Sequence, residues 1–317
     1  MNEFEAIDLI VSRLGSAARG HNVVVGTGDD GAVVRFASDE EVVVTSDVLV
    51  EGRHFPKRTP GDLVGYRSVA VNVSDLVAMG SRPRYMTVAL TMEAADKDWL
   101  YSFADGVRVC CMEVGLTVVG GNLTRGPKSV AITALGSVGA DCYLRRSGAN
   151  EGDDIWLTGR IGATSVALSR MADPASYSLE ELMSKRHCDP VAAYFLPTPR
   201  VEFALQVSGM ASSATDVSDG LASELKQLAK HSKCGMQVEV GVLEFWHETH
   251  IPKALNDDDS YELLFTANQA MRNEVTKVGE STATPLTRIG RVNSKTTNVV
   301  FLQDGEPLEV GRGYSHF

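Results

Sequence analysis

The sequence predicts an α+β protein with two domains, and three observations support this fold class. The chain has 317 residues, enough for two domains of about 150 residues each. Its hydrophobic content is 44% and its charged content 22%, as in ordinary globular proteins. Strand-like and helix-like segments follow one another without strict alternation, which favours α+β over a doubly wound parallel sheet.

The first half contains segments of both kinds. Apolar residues at helical spacing predict a helix at the N-terminus, and valine runs on either side of a Gly-Asp turn predict a hairpin. The expected helices are 3–14, 63–79 and 96–114, and the expected strands are 23–25, 32–36, 42–46, 84–91, 116–119 and 130–138.

The composition becomes polar and glycine-rich over 145–154, which is typical of a connection between domains. We therefore expect an N-terminal domain over 1–145 and a C-terminal domain over 146–317. In the second half the pattern predicts strands at 155–158, 238–240, 263–266 and 299–302, and helices at 201–207 and after Gly220.

Charge and cysteine content narrow the functional classes. The formal net charge of −11 disfavours binding to a nucleic-acid backbone. Five cysteines without a C-x-x-C pair indicate reduced thiols and a cytoplasmic location rather than a disulfide framework. The acidic, helical N-terminus does not resemble a signal peptide, and no apolar run is long enough to predict a membrane span.

Aspartates recur at the ends of apolar runs or inside them. Asp29 and Asp30 follow the strand predicted at 23–25, Asp47 follows the strand predicted at 42–46, and Asp75 interrupts an apolar helical pattern. Asp216 and Asp219 lie in ATDVSDGL, before a predicted helix. A single aspartate in such a place is usually a turn former or a helix cap. Several on different elements could converge to bind Mg²⁺, which prefers oxygen ligands.

Other motifs are less specific. Residues 26–31 match G-x-G-x-x-G, but a strand-like segment follows and two acids would repel phosphates, so a dinucleotide fold is not expected. The 120–126 stretch could present backbone N–H groups to a phosphate or be a glycine-rich surface loop. His54 could be functional or simply packed. The sequence contains no P-loop, G-x-S-x-G or H-R-D motif.

Eight motifs in order suggest a family. GTGDDGAVV, TSDVLVEGRHF, AVNVSDLVAMG, VGGNLTRGP, RRSGANEGD, LPTPRVE, DVSDGLASEL and GRGYSHF resemble those of thiamine-monophosphate kinases, which belong to the AIR-synthase-like (PurM-like) superfamily. The resemblance implies two α+β domains, an N-terminal sheet that pairs into a barrel across a homodimer, and a C-terminal α/β sandwich. It also implies direct transfer of the ATP γ-phosphoryl group to thiamine monophosphate, without a covalent nucleophile.

The same resemblance implies roles for individual residues. The implied Mg²⁺ ligands are Asp30, Thr45, Ser46, Asp47, Asp75 and Asp216, with Asp219 holding a further ion. ATP contacts would come from Gly120, Gly121, Arg146 and Ser218, and His54 would lie on the side of the acceptor.

Three positions depart from the family pattern. Asn122 replaces a metal-binding aspartate, Asp259 replaces a glutamate on the substrate side within the altered 257–263 segment, and Gly311 stands where an aromatic residue packs on the substrate. An amide oxygen can still bind Mg²⁺, so Asn122 is kept as a ligand, and Asp259 as a substrate contact. The departures leave three alternatives open: a kinase for another small phosphate ester, an AIR-synthase-type synthetase, and a non-catalytic binder of ATP or thiamine phosphate.

Overall fold

The computed structural model describes residues 2–28, 30–293 and 297–311. Asp29 and the Arg312–Phe317 end of the GRGYSHF motif therefore lie outside the described residues. The chain divides into two compact units. Unit 1 comprises Met1–Leu76, Arg82–Asp141 and Met171–Pro197, and unit 2 comprises Val77–Ser81, Cys142–Arg170 and Thr198–Phe317. The division at 145/146 stays a prediction.

The α-helices in the described part of the chain are α1 Glu3–Leu14, α2 Gly61–Ala78, α3 Lys97–Val114, α4 Ala163–Arg170, α5 Leu179–Lys185, α6 Pro190–Phe195, α7 Val201–Val207, α8 Leu221–Ser232, α9 Ile251–Asn256 and α10 Arg272–Ser281. The strands are β1 Val23–Val25, β2 Val33–Val34, β3 Glu40–Val50, β4 Arg82–Met92, β5 Thr117–Arg125, β6 Ser129–Gly139, β7 Asp154–Thr158, β8 Ala211–Asp216, β9 Gly235–Glu239, β10 Leu263–Ala267, β11 Leu286–Asn293, β12 Val299–Gln303 and β13 Glu306–Leu308.

Unit 1 is built on a four-stranded sheet in the order β3-β6-β4-β5. The β4–β5 pair is parallel and the other two pairs are antiparallel. Helix α2 is buried on nearly all sides, and its buried polar side chains, such as Arg67 and Asn72, form hydrogen bonds. It packs closely on α3, since a Cβ at Gly65 would lie 2.3 Å from the Phe103 carbonyl oxygen. A large residue at Gly65 would therefore separate the two helices.

Two buried arginines attach the 171–197 segment to the rest of unit 1. Arg186 donates to Glu113 on α3 at 2.6 Å and to the main-chain oxygens of Leu196 and Pro197. Arg67 on α2 donates to the Tyr194 carbonyl oxygen, and its guanidinium lies over the Tyr194 ring. These charged hydrogen bonds explain why the segment folds with unit 1, although the chain on both sides of it belongs to unit 2.

Unit 2 is built on a seven-stranded sheet in the order β13-β12-β9-β11-β7-β10-β8. Its pairs are antiparallel except β12–β9, which is parallel. The buried face of α8 packs in a core with β7, β9 and β10, whose side chains include Leu225, Met236 and Leu264. This packing fixes the β8–α8 turn, which contains two of the predicted metal ligands.

Several predicted elements are confirmed and others need correction. The bounds of α1 and α7 match the prediction, and β2 follows the G-x-G-x-x-G stretch as a strand. The strand expected to end before Asp47 continues to Val50, and Gly120 and Gly121 lie inside β5 rather than in a loop. Among the described residues, no helix combines the length and apolar character needed to cross a membrane.

Candidate active site

Strand β3 and helix α2 bring three of the predicted metal ligands to the same side of β3. Thr45 Oγ1 donates to Asp75 Oδ2 at 2.5 Å. The backbone amide of Asp47 donates to Asn72 Oδ1 at 3.1 Å, and the Asn72 amide donates to Ser68 O at 2.9 Å on the same helix. Thr45 and Asp47 are two residues apart on β3 and so share a face. Oxygen donors of this kind suit Mg²⁺.

Ser46 lies between these two residues and its side chain points to the opposite face of the strand. Its hydroxyl donates to Ile132 O at 3.0 Å and lies 3.2 Å from Thr133 Oγ1, both on β6. The structure therefore groups Thr45 with Asp75 and leaves the Ser46 hydroxyl outside that group.

A second group of predicted residues lines a cavity of about 400 Å³ in unit 1. Its walls come from α1, the 27–32 loop, β4, β5 and α3, and most of the lining side chains are aliphatic. Four candidate residues belong to the lining, namely Asp30, Gly120, Gly121 and Asn122. The cavity combines apolar walls with polar residues at two places, which is typical of a small-molecule site.

Gly121 is required by the close approach of two strands. It pairs with Val88 in the parallel β4–β5 ladder, and a Cβ at this position would lie 2.1 Å from the Val88 carbonyl oxygen. A Cβ at Gly120 would meet nothing closer than the Thr87 methyl group at 3.7 Å. The two neighbouring glycines thus have different roles, and only Gly121 is needed for the backbone contact.

The β8–α8 turn of unit 2 contains Asp216, Ser218 and Asp219. Asp216 is buried at the end of β8, opposite Leu263 on β10. Gly220 follows with φ +93, and a Cβ there would lie 2.5 Å from the main chain of Asn256. Only glycine allows both the positive φ and this close approach to Asn256. Contact with Asn256 therefore fixes the turn between Asp219 and α8.

Arg146 and the buried Glu224 border this turn. Arg146 Nε donates to Thr215 Oγ1 at 3.2 Å, and its Nη2 lies 3.8 Å from Glu224 Oε2. Burial raises the pKa of Glu224 to about 6; the nearby Arg146 opposes the rise, and Asp219 adds to it. Arg146 is about half exposed, so its guanidinium can reach an anionic ligand while one edge is held.

His54 lies in a turn of unit 1 that is held at both its imidazole and its carbonyl. The backbone amide of Val50 donates to His54 Nδ1 at 3.0 Å, and Tyr194 Oη donates to His54 O at 3.1 Å. The imidazole is therefore an acceptor at Nδ1, and its Nε2 is oriented by the turn. A substrate contact from His54 remains a prediction.

The altered 257–263 segment is attached to the N-terminus of α4. Asp258 is fully buried and accepts hydrogen bonds from Gly162 N at 2.8 Å and Thr164 N at 3.3 Å. Asp259 accepts from the Thr164 hydroxyl. Burial raises the pKa of Asp258 to about 7, although the Gly162 amide counteracts part of the rise. Asp258 stands where the family has a glycine, and it caps the N-terminus of α4.

Sequence reasoning missed three residues that shape these sites: Asn72, Glu224 and Asp258. Glu224 carried a signal, because it falls on the buried helical face formed by Leu221, Leu225 and Leu228. The signal for Asp258 was the altered segment itself. Asn72 had none, since the Asp47 backbone that it holds lies 25 residues away in the chain.

The described ranges contain no group of three His, Cys, Asp or Glu side chains placed to hold a metal ion. Mg²⁺ does not require one, since it usually takes one or two carboxylates with phosphate oxygens and water. The hydroxyl and carboxylate of Thr45 and Asp75 fit such a site. The donor set is therefore compatible with Mg²⁺ held together with a phosphorylated ligand.

Comparison with known proteins identifies the family. The AIR synthase related N-terminal domain model matches residues 28–138, and the corresponding C-terminal domain model matches 150–302. Thiamine-monophosphate kinase of Escherichia coli K12 is 33% identical, covering 93% of each chain.

Solved structures agree with this result. The crystal structure of thiamine-monophosphate kinase from Stenotrophomonas maltophilia K279a has a TM-score of 0.83 at 34% identity, covering 95% of this chain and 97% of that one. AaThiL complexed with AMPPCP and TMP has a TM-score of 0.72 at 27% identity, covering 99% and 97%. The predicted two-domain PurM-like α+β fold is confirmed, and the chain belongs to the thiamine-monophosphate kinase family of AIR synthase related proteins.

Proposed function

We propose that this protein transfers the γ-phosphoryl group of ATP to thiamine monophosphate, producing ADP and thiamine diphosphate. The observation that carries the proposal is the likeness, over 99% of the chain, to a relative solved with AMPPCP, an ATP analogue, and TMP. The curated relatives named thiamine-monophosphate kinase support it over nearly their whole length.

The reaction needs little acid–base chemistry from the protein. An oxygen of the acceptor phosphate forms a bond to the γ-phosphorus, and the bond from that phosphorus to the β,γ-bridging oxygen breaks, with its electron pair leaving on ADP. The attacking oxygen is already ionised at neutral pH, so no general base is required. Catalysis then rests on alignment and on neutralising charge, and no residue acts as a covalent nucleophile.

Mg²⁺ fits this scheme as the cation that offsets the charge of the phosphates. In unit 1 the residues that would hold it are Asp30, Thr45, Ser46, Asp47, Asp75 and Asn122, and in unit 2 they are Asp216 and Asp219. The hydroxyl of Ser46 faces away from Thr45 and Asp75 and donates to β6, so it would not bind the same ion as those two residues. Asn72 holds the Asp47 backbone in place, and Thr45 orients the Asp75 carboxylate.

The remaining candidates bind the two substrates. Gly120 and Gly121 line the apolar cavity, where the strand backbone can lie close to ATP. Arg146, held by Thr215, neutralises phosphate charge, and the Ser218 hydroxyl in the β8–α8 turn donates a hydrogen bond to ATP. His54 and Asp259 contact thiamine monophosphate. The side chains of Arg146, His54 and Asp259 already have hydrogen-bonded positions, and Ser218 lies in the turn before α8, which lowers the entropy cost of alignment.

A homodimer is supported by the outward face of β3. Val42, Val44 and Val48 alternate along this strand and are exposed, Val44 by 61%. An apolar stripe on a sheet is stable when another surface covers it, and a second copy of the same sheet would form the expected barrel. The homodimer can be tested with Val44→Asp: sedimentation should show a monomer for the variant and a dimer for the native chain. We place the reaction in the cytoplasm, where the five free cysteines would stay reduced.

The test is a coupled assay with Mg²⁺, ATP and thiamine monophosphate that measures ADP and thiamine diphosphate separately. We expect equal amounts of the two products, and loss of both in Asp47→Ala. The matched control is Asp105→Asn, which removes a carboxylate that pairs with Arg13 in the same unit and should leave the rate unchanged. ADP without thiamine diphosphate would contradict the assigned acceptor and would favour another phosphate ester or a synthetase.

A further inference from the structure

A buried ion pair in unit 2 lies outside the residues assigned above. Glu262 accepts hydrogen bonds from Arg200 Nε at 2.9 Å and Arg200 Nη2 at 2.7 Å. It also accepts one from Thr158 Oγ1 at 2.6 Å. The two charged side chains are only 11% and 10% exposed. A bidentate arginine–carboxylate pair of this kind is strong and geometrically specific.

The surrounding chain is shaped around the carboxylate of Glu262. Gly159 has φ +59, and a Cβ there would lie 1.8 Å from Glu262 Oε1. The Thr158 hydroxyl that donates to Glu262 also accepts from Leu263 N at 2.8 Å. The position of the carboxylate is therefore fixed by three elements: β7, the start of β10 and the residue before α7.

The backbone of the same segment is paired with the β8–α8 turn. Val217 N donates to Glu262 O, and Tyr261 N donates to Val217 O, both at 2.9 Å. Val217 stands between Asp216 and Ser218. Tyr261 has φ +54, a backbone conformation that a tyrosine holds only when its surroundings impose it. The Arg200–Glu262 pair acts on the residue directly after Tyr261 and so restrains it through the main chain.

Asp259 lies on the other side of this strained residue, where it accepts a hydrogen bond from Thr164. The 259–262 segment thus connects the assigned acceptor contact with the turn that contains Asp216 and Asp219. Any movement of Glu262 would be transmitted to both through the main chain.

We propose that Arg200 and Glu262 are a positioning pair, which holds Asp259 and the 216–219 turn in the arrangement that phosphoryl transfer requires. This inference rests on the proposed function. Removing the charge of Glu262 leaves the buried Arg200 without its counterion, and the strained turn can then relax. Small displacements of aligned groups are costly to catalysis. Loss of the pair should therefore raise both the Mg²⁺ concentration for half-maximal rate and the KM for the acceptor.

The experiment compares Glu262→Gln with Asp154→Asn. Asp154 is the control, because it is fully buried and accepts two hydrogen bonds of 2.9 Å from Arg272, which is 42% exposed, but pairs with Ala267 at the other end of β10. Both variants should lower the unfolding temperature. Only Glu262→Gln should raise the Mg²⁺ concentration for half-maximal rate and the KM for thiamine monophosphate, each by about 10-fold. Equal kinetic changes in the two variants would overturn the proposal.

Arg200→Lys is the second variant, in case Glu262→Gln does not fold. It keeps the charge and loses the forked hydrogen bonds, so it should shift the same two constants by a smaller factor. If the native chain does not phosphorylate thiamine monophosphate, the proposed function has failed, and amide hydrogen exchange over 215–219 then tests the pair alone. Faster exchange there in Arg200→Lys, but not in Asp154→Asn, is expected; unchanged exchange would refute the pair's role.

Discussion

Thr45 on β3 donates a 2.5 Å hydrogen bond to the carboxylate of Asp75 on α2, thirty positions later in the chain. The contact joins a strand residue and a helix residue that the family resemblance had both assigned to the Mg²⁺ ligands. A hydroxyl that donates to a carboxylate fixes the orientation of the second carboxylate oxygen. This relationship gives Asp75 a defined orientation among the proposed Mg²⁺ ligands.

Asp75→Asn should weaken Mg²⁺ binding without unfolding the protein. The amide oxygen can still accept from Thr45, but the negative charge that attracts the cation is lost. We expect the Mg²⁺ concentration for half-maximal activity to rise by about 10- to 100-fold, with little change in the unfolding temperature. Mg²⁺ titration of the rate measures this. A large loss of stability with an unchanged Mg²⁺ requirement would instead indicate a structural role.

Gly121→Ala should be much more harmful than Gly120→Ala. The new methyl group would lie 2.1 Å from Val88 O in the first variant, whereas the second places it 3.7 Å from the nearest atom. We expect Gly121→Ala to cost about 1–3 kcal/mol in the free energy of unfolding, as overpacking usually does, and to weaken ATP binding because Gly121 lines the cavity. Urea unfolding and ATP titration of both variants check this; equal behaviour would be contrary to the strand contact described.

Asn122→Asp should strengthen Mg²⁺ binding. Asn122 lines the same cavity as Asp30, and aspartate would restore the charged ligand typical of the family at this position. A carboxylate attracts Mg²⁺ more strongly than a neutral amide, so half-maximal activity should be reached at a lower Mg²⁺ concentration. Thr124→Asp is the control, since it adds a charge on the same face of β5 outside the cavity lining. A similar shift in both variants would show that only the overall charge matters.

Asp258 should make the stability depend on pH. Its pKa is raised from 3.8 to about 7 by burial, so the folded state binds more protons than the unfolded state between these values. The contribution of Asp258 to the free energy of unfolding must therefore fall as the pH rises from about 4 to about 7. Asp258→Asn does not titrate and should fall less steeply over that window, as urea unfolding at several pH values can show.

The exposed neighbour Asp257 provides the control for this measurement. Asp257→Asn leaves the cap of α4 intact and should follow the native pH dependence. If Asp258→Asn and the native chain lost stability in parallel, the buried carboxyl would not be the titrating group.

The sequence predicted the elements whose signals are local. The apolar spacing of α1 and α7 gave their bounds, because a continuous amphipathic face depends only on neighbouring residues. Asp75 was also identified locally, as an acid inside an apolar helix. The strand at Gly120 and Gly121 was missed, because glycine normally weakens strands and the reason for Gly121 is the backbone of β4.

Long-range contacts account for the other differences. Helix α4 is only eight residues long and receives its cap from Asp258, whose position in the chain is far from Thr164. The 171–197 segment joins unit 1 through Arg67 and Arg186, which no local pattern reveals. The orientation of the Ser46 hydroxyl depends on the register of β3 with β6. Each of these features is decided by a partner that only the folded chain supplies.

The most direct test of the central claim is a single-turnover experiment with enzyme in excess over ATP that carries a radioactive γ-phosphoryl group, in the presence of Mg²⁺ and thiamine monophosphate. Direct transfer predicts that the label passes from ATP to thiamine diphosphate at the rate of ADP formation, with no labelled protein at any time. Label that accumulated on the protein, or that was released as inorganic phosphate, would contradict the proposed kinase.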